Sequence, residues 1–122
     1  MKRIAVLVVA VAAVLAVSAQ SALAAKSASK AAVTVNVTAV DFRFRLSKLS
    51  VPKGSVVTFK VTNRGNAPHD FDIPTAKKGT AYLAPGKSAS FKMIASKSGS
   101  YRFVCTVPRH IELGMSGKFI VK

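Results

Sequence analysis

Four side chains in this sequence carry soft or borderline metal donors and can act together: His69, Cys105, His110 and Met115. The supply of such residues is small. The chain has two histidines, one cysteine and three methionines, one of them the initiator. Three of the four donors fall in the stretch CTVPRHIELGM (105–115), spaced Cys-x4-His-x4-Met, and the fourth lies 36 residues before the cysteine. Singly, each has an ordinary explanation. Met115 would fill core, and Cys105 would be a small buried hydrophobe. His69, after a proline-containing turn, would be a hydrogen-bonded turn residue. Jointly, those explanations need both histidines, the only cysteine and one of two internal methionines to fall into register by coincidence.

Catalysis accounts for these residues less well than metal binding does. Cys105 and His110 could form a nucleophile and its base. The sequence offers no Gly-rich strand-to-helix turn, no helix start to lower the thiol pKa and no evident oxyanion hole. Asp70 and Asp72 share one strand face, but the chain is too small for a sugar cleft. Two imidazoles, a thiolate and a weak axial thioether are instead the donor set of a blue-copper electron-transfer site. Zinc tolerates two histidines and a cysteine, yet structural zinc takes four strong donors and a thioether is a poor fourth. The thioether suits Cu(I), so copper is the metal expected.

A small scaffold has to bring these donors together. From Val33 onward the pattern has period two: VTVNVTAV (33–40), FRFRL (42–46), SVVTFKV (55–61), SASFKMI (88–94), YRFVC (101–105) and KFIV (118–121). Turn signals separate them at VPKG (51–54), NRGNAP (63–68), APGK (84–87) and KSGS (97–100). PTAKKGTAYL (74–83) has room for one short helical turn, limited by Gly79. Six to eight short strands in about 90 residues predict an all-β antiparallel sandwich or barrel. Any ligand site then lies in loops at one end of it.

The N-terminus reads as a processing segment. Lys2 and Arg3 precede the apolar run Ile4–Val17, and small residues follow with an A-x-A pattern at 22–24. Residues 1–25 are therefore expected to be a signal peptide. The competing reading is an uncleaved anchor, since a span needs about 20 apolar residues. Residues 26–32 read as a flexible lead, and 33–122 as one domain. Without Lys2 and Arg3, seventeen basic residues face four acidic ones, a net charge of about +13. Charges spread along strands in an exported protein do not point to nucleic acid. They point to a soluble basic surface that attracts acidic proteins or an anionic membrane surface. A single cysteine cannot form an internal disulfide, so in an oxidising compartment Cys105 needs burial, another chain or a metal to protect it.

VTFKVTNRGNAPHDFDI (57–73) and YRFVCTVPRHIELGMSGKFIV (101–121) together resemble the cupredoxins, the small blue copper proteins. The resemblance covers 33–122, and the Cys-x4-His-x4-Met spacing is nearest to the rusticyanin and auracyanin type. It implies a Greek-key β-sandwich of seven or eight strands, with His69, Cys105 and His110 as equatorial copper ligands and Met115 axial. It also implies an exported, periplasmic or extracellular monomer that carries single electrons between redox proteins and is not an enzyme. Copper storage or delivery on the same fold is the alternative; an adhesive, wall-binding sandwich would ignore the metal. A single cysteine excludes a binuclear copper site, and the lack of an H-x-H pair excludes a multicopper oxidase. Val107, Pro108, Ile111 and Leu113 are expected to form an apolar docking patch around His110. Two positions depart from the family pattern: Asp70 stands where relatives often have Asn, and Arg109 where they often have Gly. Both are candidates for tuning the site.

Overall fold

Alternation of apolar and polar residues sends every second side chain inward, and the computed structural model, which describes residues 30–122, closes those rows into two facing sheets. The strands are β1 (Ala32–Val40), β2 (Arg43–Leu46), β3 (Ser50–Val51), β4 (Val56–Asn63), β5 (Asp72–Ile73), β6 (Lys78–Gly79), β7 (Ser88–Ile94), β8 (Gly99–Val104) and β9 (Ser116–Val121). One sheet has the order β2-β1-β4-β7 and the other β3-β9-β8-β5-β6. β1 runs parallel to β4, and β3 parallel to β9, while the remaining pairs are antiparallel. The expected all-β Greek-key sandwich is therefore present. Its nine strands exceed the seven or eight expected because β3, β5 and β6 are two-residue strands, too short to show an alternation. Residues 97–100, read as a turn, lend Gly99 and Ser100 to β8, and Val51 of the expected 51–54 turn ends β3. The short helical turn expected within 74–83 is a 3-10 turn at Pro74–Ala76. Ala32, placed in the lead, already pairs with Val56.

Six of the seven phenylalanines fill the space between the sheets. Phe59 meets Phe71, Phe91 and Phe119 at centroid distances of 5.2–5.5 Å, and Phe71 meets Phe44 and Phe103 at 5.2 Å. Val35, Val37, Val57, Val61, Ile73 and Val121 complete the buried cluster. Gly117 leaves room for this packing, because a Cβ there would overlap the Phe103 ring. Dense packing of rigid rings resists deformation, which a site of fixed geometry requires.

The inward rows change character at one end. On β4, Val57, Phe59 and Val61 are followed at the next inward position by Asn63, which is fully buried. Its Nδ2 donates to the carbonyls of Ala67 and Leu83 at 2.9 and 2.8 Å, and its Oδ1 accepts from Gly65 N at 2.8 Å. Asn63 thus gathers the loop after β4 against the segment before β7. His69 and Leu83 then exchange backbone hydrogen bonds at 3.1 and 2.7 Å. Asn63→Ala leaves these buried partners unmatched and is expected to destabilise the protein by about 2–4 kcal/mol. Chemical denaturation of the metal-free protein measures it, and a loss under about 0.5 kcal/mol, the range of an ordinary surface change, would contradict this role.

Candidate metal centre

The antiparallel ladder of β8 and β9 sets the first contacts of the site. Its last strand pair is Val104 with Ser116, and Cys105 N donates to Met115 O at 3.1 Å, so the ladder runs one residue further. Cys105 and Met115 therefore face each other across the mouth of the hairpin, and both are fully buried, beside Ala39. The loop between them folds back on itself. His110 N donates to Val107 O, Leu113 N to Arg109 O, and Met115 N to His110 O, at 3.0–3.2 Å. These turns bring the His110 ring over the cysteine.

His69 arrives from the segment before β5. Its Nδ1 lies 3.1 Å from His110 Nδ1 and 3.9 Å from Cys105 Sγ, and the His110 nitrogen is 3.5 Å from that sulfur. All three donor atoms fall within 4.8 Å of one another. Such edge lengths surround a point about 2.0 Å from each nitrogen and about 2.3 Å from the sulfur, so the residues present fit a metal ion. His69 is fully buried and His110 is 7% exposed. Burial holds the His110 imidazole below its ordinary pKa, with the His69 ring adding to the effect, so it is neutral at pH 7 and offers a lone pair. Burial also pushes the Cys105 thiol up, against hydrogen bonds from the Asp70 and Val107 regions. The metal-free thiol is thus protonated and shielded, and a metal that takes it as thiolate must displace its proton.

Asp70, a buried residue, joins the two halves of the donor set. One carboxylate oxygen accepts from Thr106 N at 2.6 Å and the other pairs with the Thr106 hydroxyl. The residue after His69 is thereby tied to the residue after Cys105. Arg109 is different. It is exposed, forms no ion pair among the described residues, and sits at a left-handed φ of 72°.

Of the expected docking patch, Pro108, Ile111 and Leu113 are exposed, while Val107 is half-buried and packs on the Cys105–Met115 cluster. Phe42, 37% exposed, meets the His110 ring edge-on at 5.0 Å and joins the apolar rim. Sequence reasoning missed Phe42, and it missed Asp41 beside it. Asp41 Oδ1 lies 2.6 Å from His69 Nε2 and Oδ2 accepts from Asn66 N at 2.8 Å. The Asn66 N–H and the His69 ring hold its carboxyl below the usual carboxylate range. The signal was parity: Val35, Val37 and Ala39 point inward on β1, and Asp41 is the next such position.

Because a left-handed conformation costs an L-residue about 1–2 kcal/mol, Arg109→Gly is expected to stabilise the metal-free protein. Subtracting the extra freedom glycine gives the unfolded chain leaves about 0.5–1 kcal/mol. Thermal melts of the two proteins check it. A lower melting temperature for Arg109→Gly would show that the arginine side chain itself holds the loop.

Known proteins resemble this chain in sequence and in fold. The family described as the cupredoxin-like domain matches residues 6–121, a match that begins inside the segment expected to be a signal peptide, which lies outside the described residues. The copper-resistant cuproprotein CopI of Rubrivivax gelatinosus is 31% identical over 114 residues, spanning 77% of this chain and 69% of that protein. Rusticyanin from Thiobacillus ferrooxidans is 28% identical, with a TM-score of 0.64 over 77% of this chain and 79% of its own. A structure of reduced rusticyanin superposes with a TM-score of 0.63 at 27% identity, over 77% and 81%. Dithionite-reduced auracyanin from Roseiflexus castenholzii shares the fold at 19% identity, with a TM-score of 0.63 over 77% of this chain and 98% of its own. With the family matched over nearly its whole length and a His-Cys-His donor group buried at one end of the sandwich, the chain belongs to the cupredoxin-like family and carries the donor chemistry of a single copper site.

Proposed function

We propose that the protein is an exported one-electron carrier, with His69, Cys105 and His110 as equatorial copper ligands and Met115 as the axial one. The observation that carries this reading is the convergence of two imidazole nitrogens and one thiol sulfur, all on buried residues, within 4.8 Å of one another. Bound copper would supply a reversible Cu(I)/Cu(II) couple whose potential depends on the axial donor and on the surroundings of the sulfur. The chain's part is to keep the donors still. The β8–β9 ladder fixes Cys105 against Met115, the Asp70–Thr106 contacts fix the cysteine against the His69 segment, and the aromatic core resists their separation. A site that moves little between oxidation states exchanges electrons without a large rearrangement.

The surroundings of His110 suit an exit for electrons. Phe42 meets its ring edge-on, and Pro108, Ile111 and Leu113 are exposed on the loop that carries it, apolar surface suited to excluding water from an encounter with a redox partner. The net charge of +15 on the full chain would hasten encounter with an acidic partner or an anionic membrane surface, an effect that weakens with salt. No helix among the described residues is long and apolar enough to cross a membrane. Export rests on the reading of residues 1–25 as a signal peptide. A second reading, copper storage or delivery on the same fold, is kept because one relative is a copper-resistant cuproprotein.

Copper loading of the purified protein separates these readings. One equivalent of Cu(II) is expected to give an intense visible thiolate-to-copper band that ascorbate bleaches and an oxidant restores. Cys105→Ser should abolish the band, since no other residue of this chain supplies a thiolate. Met115→Leu should retain the colour and raise the reduction potential, because the thioether donates to Cu(II). A colourless protein in which Cys105 stays open to alkylation would refute the copper reading. A coloured protein with slow electron exchange and readily chelated copper would support storage or delivery instead.

A further inference from the structure

The two histidines face the site in the same way but are held differently behind it. His69 presents Nδ1 to the other donors, and when that nitrogen serves as a donor to a metal the ring proton is the one on Nε2. That nitrogen lies 2.6 Å from Asp41 Oδ1. Against His110 lies the Phe42 ring, one residue along the chain, edge-on at 5.0 Å; the same ring meets His69 at 6.2 Å. The corner between β1 and β2 thus places a carboxylate on one imidazole and an aromatic edge on the other.

The Asp41 carboxylate is itself held in place. Oδ2 accepts from Asn66 N at 2.8 Å, and Oδ1 accepts from Ala67 N at 3.3 Å as well as from His69. Both backbone donors belong to the loop that Asn63 gathers on the other side. Gly65 makes the close approach possible. A Cβ at that position would collide with the Asp41 carboxylate and lie 2.8 Å from His69 Nε2. Three contributions therefore converge on one N–H: an anion from the end of β1, a pair of amides that aim it, and a missing side chain that lets it in.

We propose that Asp41 is a positioning residue for the copper centre, which pins the His69 ring and polarises its Nε2–H bond so that Nδ1 becomes a stronger donor. This rests on the copper reading given above. A carboxylate on the far nitrogen of a ligand histidine fixes its tautomer and raises its basicity. The added negative charge favours Cu(II) over Cu(I), so Asp41 lowers the reduction potential and tightens Cu(II) binding. The positive charge of Arg109 opposes it at longer range. Because Asp41 lies in the turn that joins β1 to β2 of one sheet and His69 leads into the opposite sheet, the contact also ties the two sheets together at the metal end.

The test compares wild type, Asp41→Asn, Asp41→Ala and Gly65→Ala as full-length protein processed by the producing cell. The readouts are copper stoichiometry, the visible band, the reduction potential by spectroelectrochemical titration, and the melting temperature of the metal-free form. Asp41→Asn is expected to keep the band and one copper per chain while its preference for Cu(II) over Cu(I) falls about tenfold, at the lower end of the tenfold to hundredfold losses seen for such partners. For a one-electron couple that is a potential about 59 mV higher. Gly65→Ala retains the charge but wedges the contact apart, and should move the potential in the same direction. It also serves as the test if Asp41→Ala does not fold. A blue Asp41→Asn protein whose potential is unchanged, whether or not its melting temperature falls, would show that Asp41 is merely structural and overturn the proposal alone. A wild-type protein that takes up no copper would overturn the copper reading and this proposal with it.

Discussion

Two imidazole nitrogens held 3.1 Å apart beside a buried thiol set the constraint that this structure has to meet. All three donor atoms lie within 4.8 Å of one another, and the residues that carry them are buried. Such crowding persists only where the surrounding structure over-determines it. The rest of the molecule can be understood as what that requires: a rigid aromatic core behind the site, a closed hairpin loop across it, and polar ties on its flanks. A metal ion placed among the donors converts the same crowding into coordination.

The centre is the end of the core, with no separate domain built for it. Inward rows run along the strands and change residue type at one pole. Phe119 and Gly117 of β9 are followed backward by Met115, and Tyr101 and Phe103 of β8 forward by Cys105. Ile73 and Phe71 lead back to His69, Val57, Phe59 and Val61 lead to Asn63, and Val35, Val37 and Ala39 lead to Asp41. Three of these terminal positions carry donors and two carry the polar groups that orient them. The geometry of the site is thus inherited from sheet pairing, where each register is fixed by burial of the apolar face. Asp70, at the opposite parity to His69, reaches across to Thr106 and closes the arrangement between neighbouring chain segments.

Much of this was legible in the sequence because the signals are local or rare. Six strand-forming runs announced themselves by alternation. Three donors share an eleven-residue loop, and the scarcity of histidine and cysteine left few candidates for a fourth ligand. What stayed hidden depends on contacts between distant segments. Asp41 is 28 residues from the ring it holds, and an aspartate in a turn is unremarkable until the loop after β4 folds over it. Asn63 likewise reads as part of a polar turn, although the parity of β4 directs it into the interior. Gly65 has no signature beyond loop composition; its role is space beside a contact formed by other residues. The strands β3 and β6 were missed as elements because two residues cannot display a period, and β5 was legible only as the strand face assigned to Asp70 and Asp72. The left-handed backbone at Arg109 gives physical content to a departure that the sequence presented only as an exchange of residue type.

The central claim is that this chain holds a fixed set of two imidazoles and one thiolate around copper in both oxidation states. X-ray absorption at the copper edge, recorded on the oxidised and the dithionite-reduced protein, tests it most directly. The account predicts a short sulfur and two nitrogens in both spectra, at about 2.1–2.3 Å and 2.0 Å, with bond lengths that change little on reduction. A copper shell of nitrogen and oxygen alone, or a coordination number that changes between the two states, would contradict it.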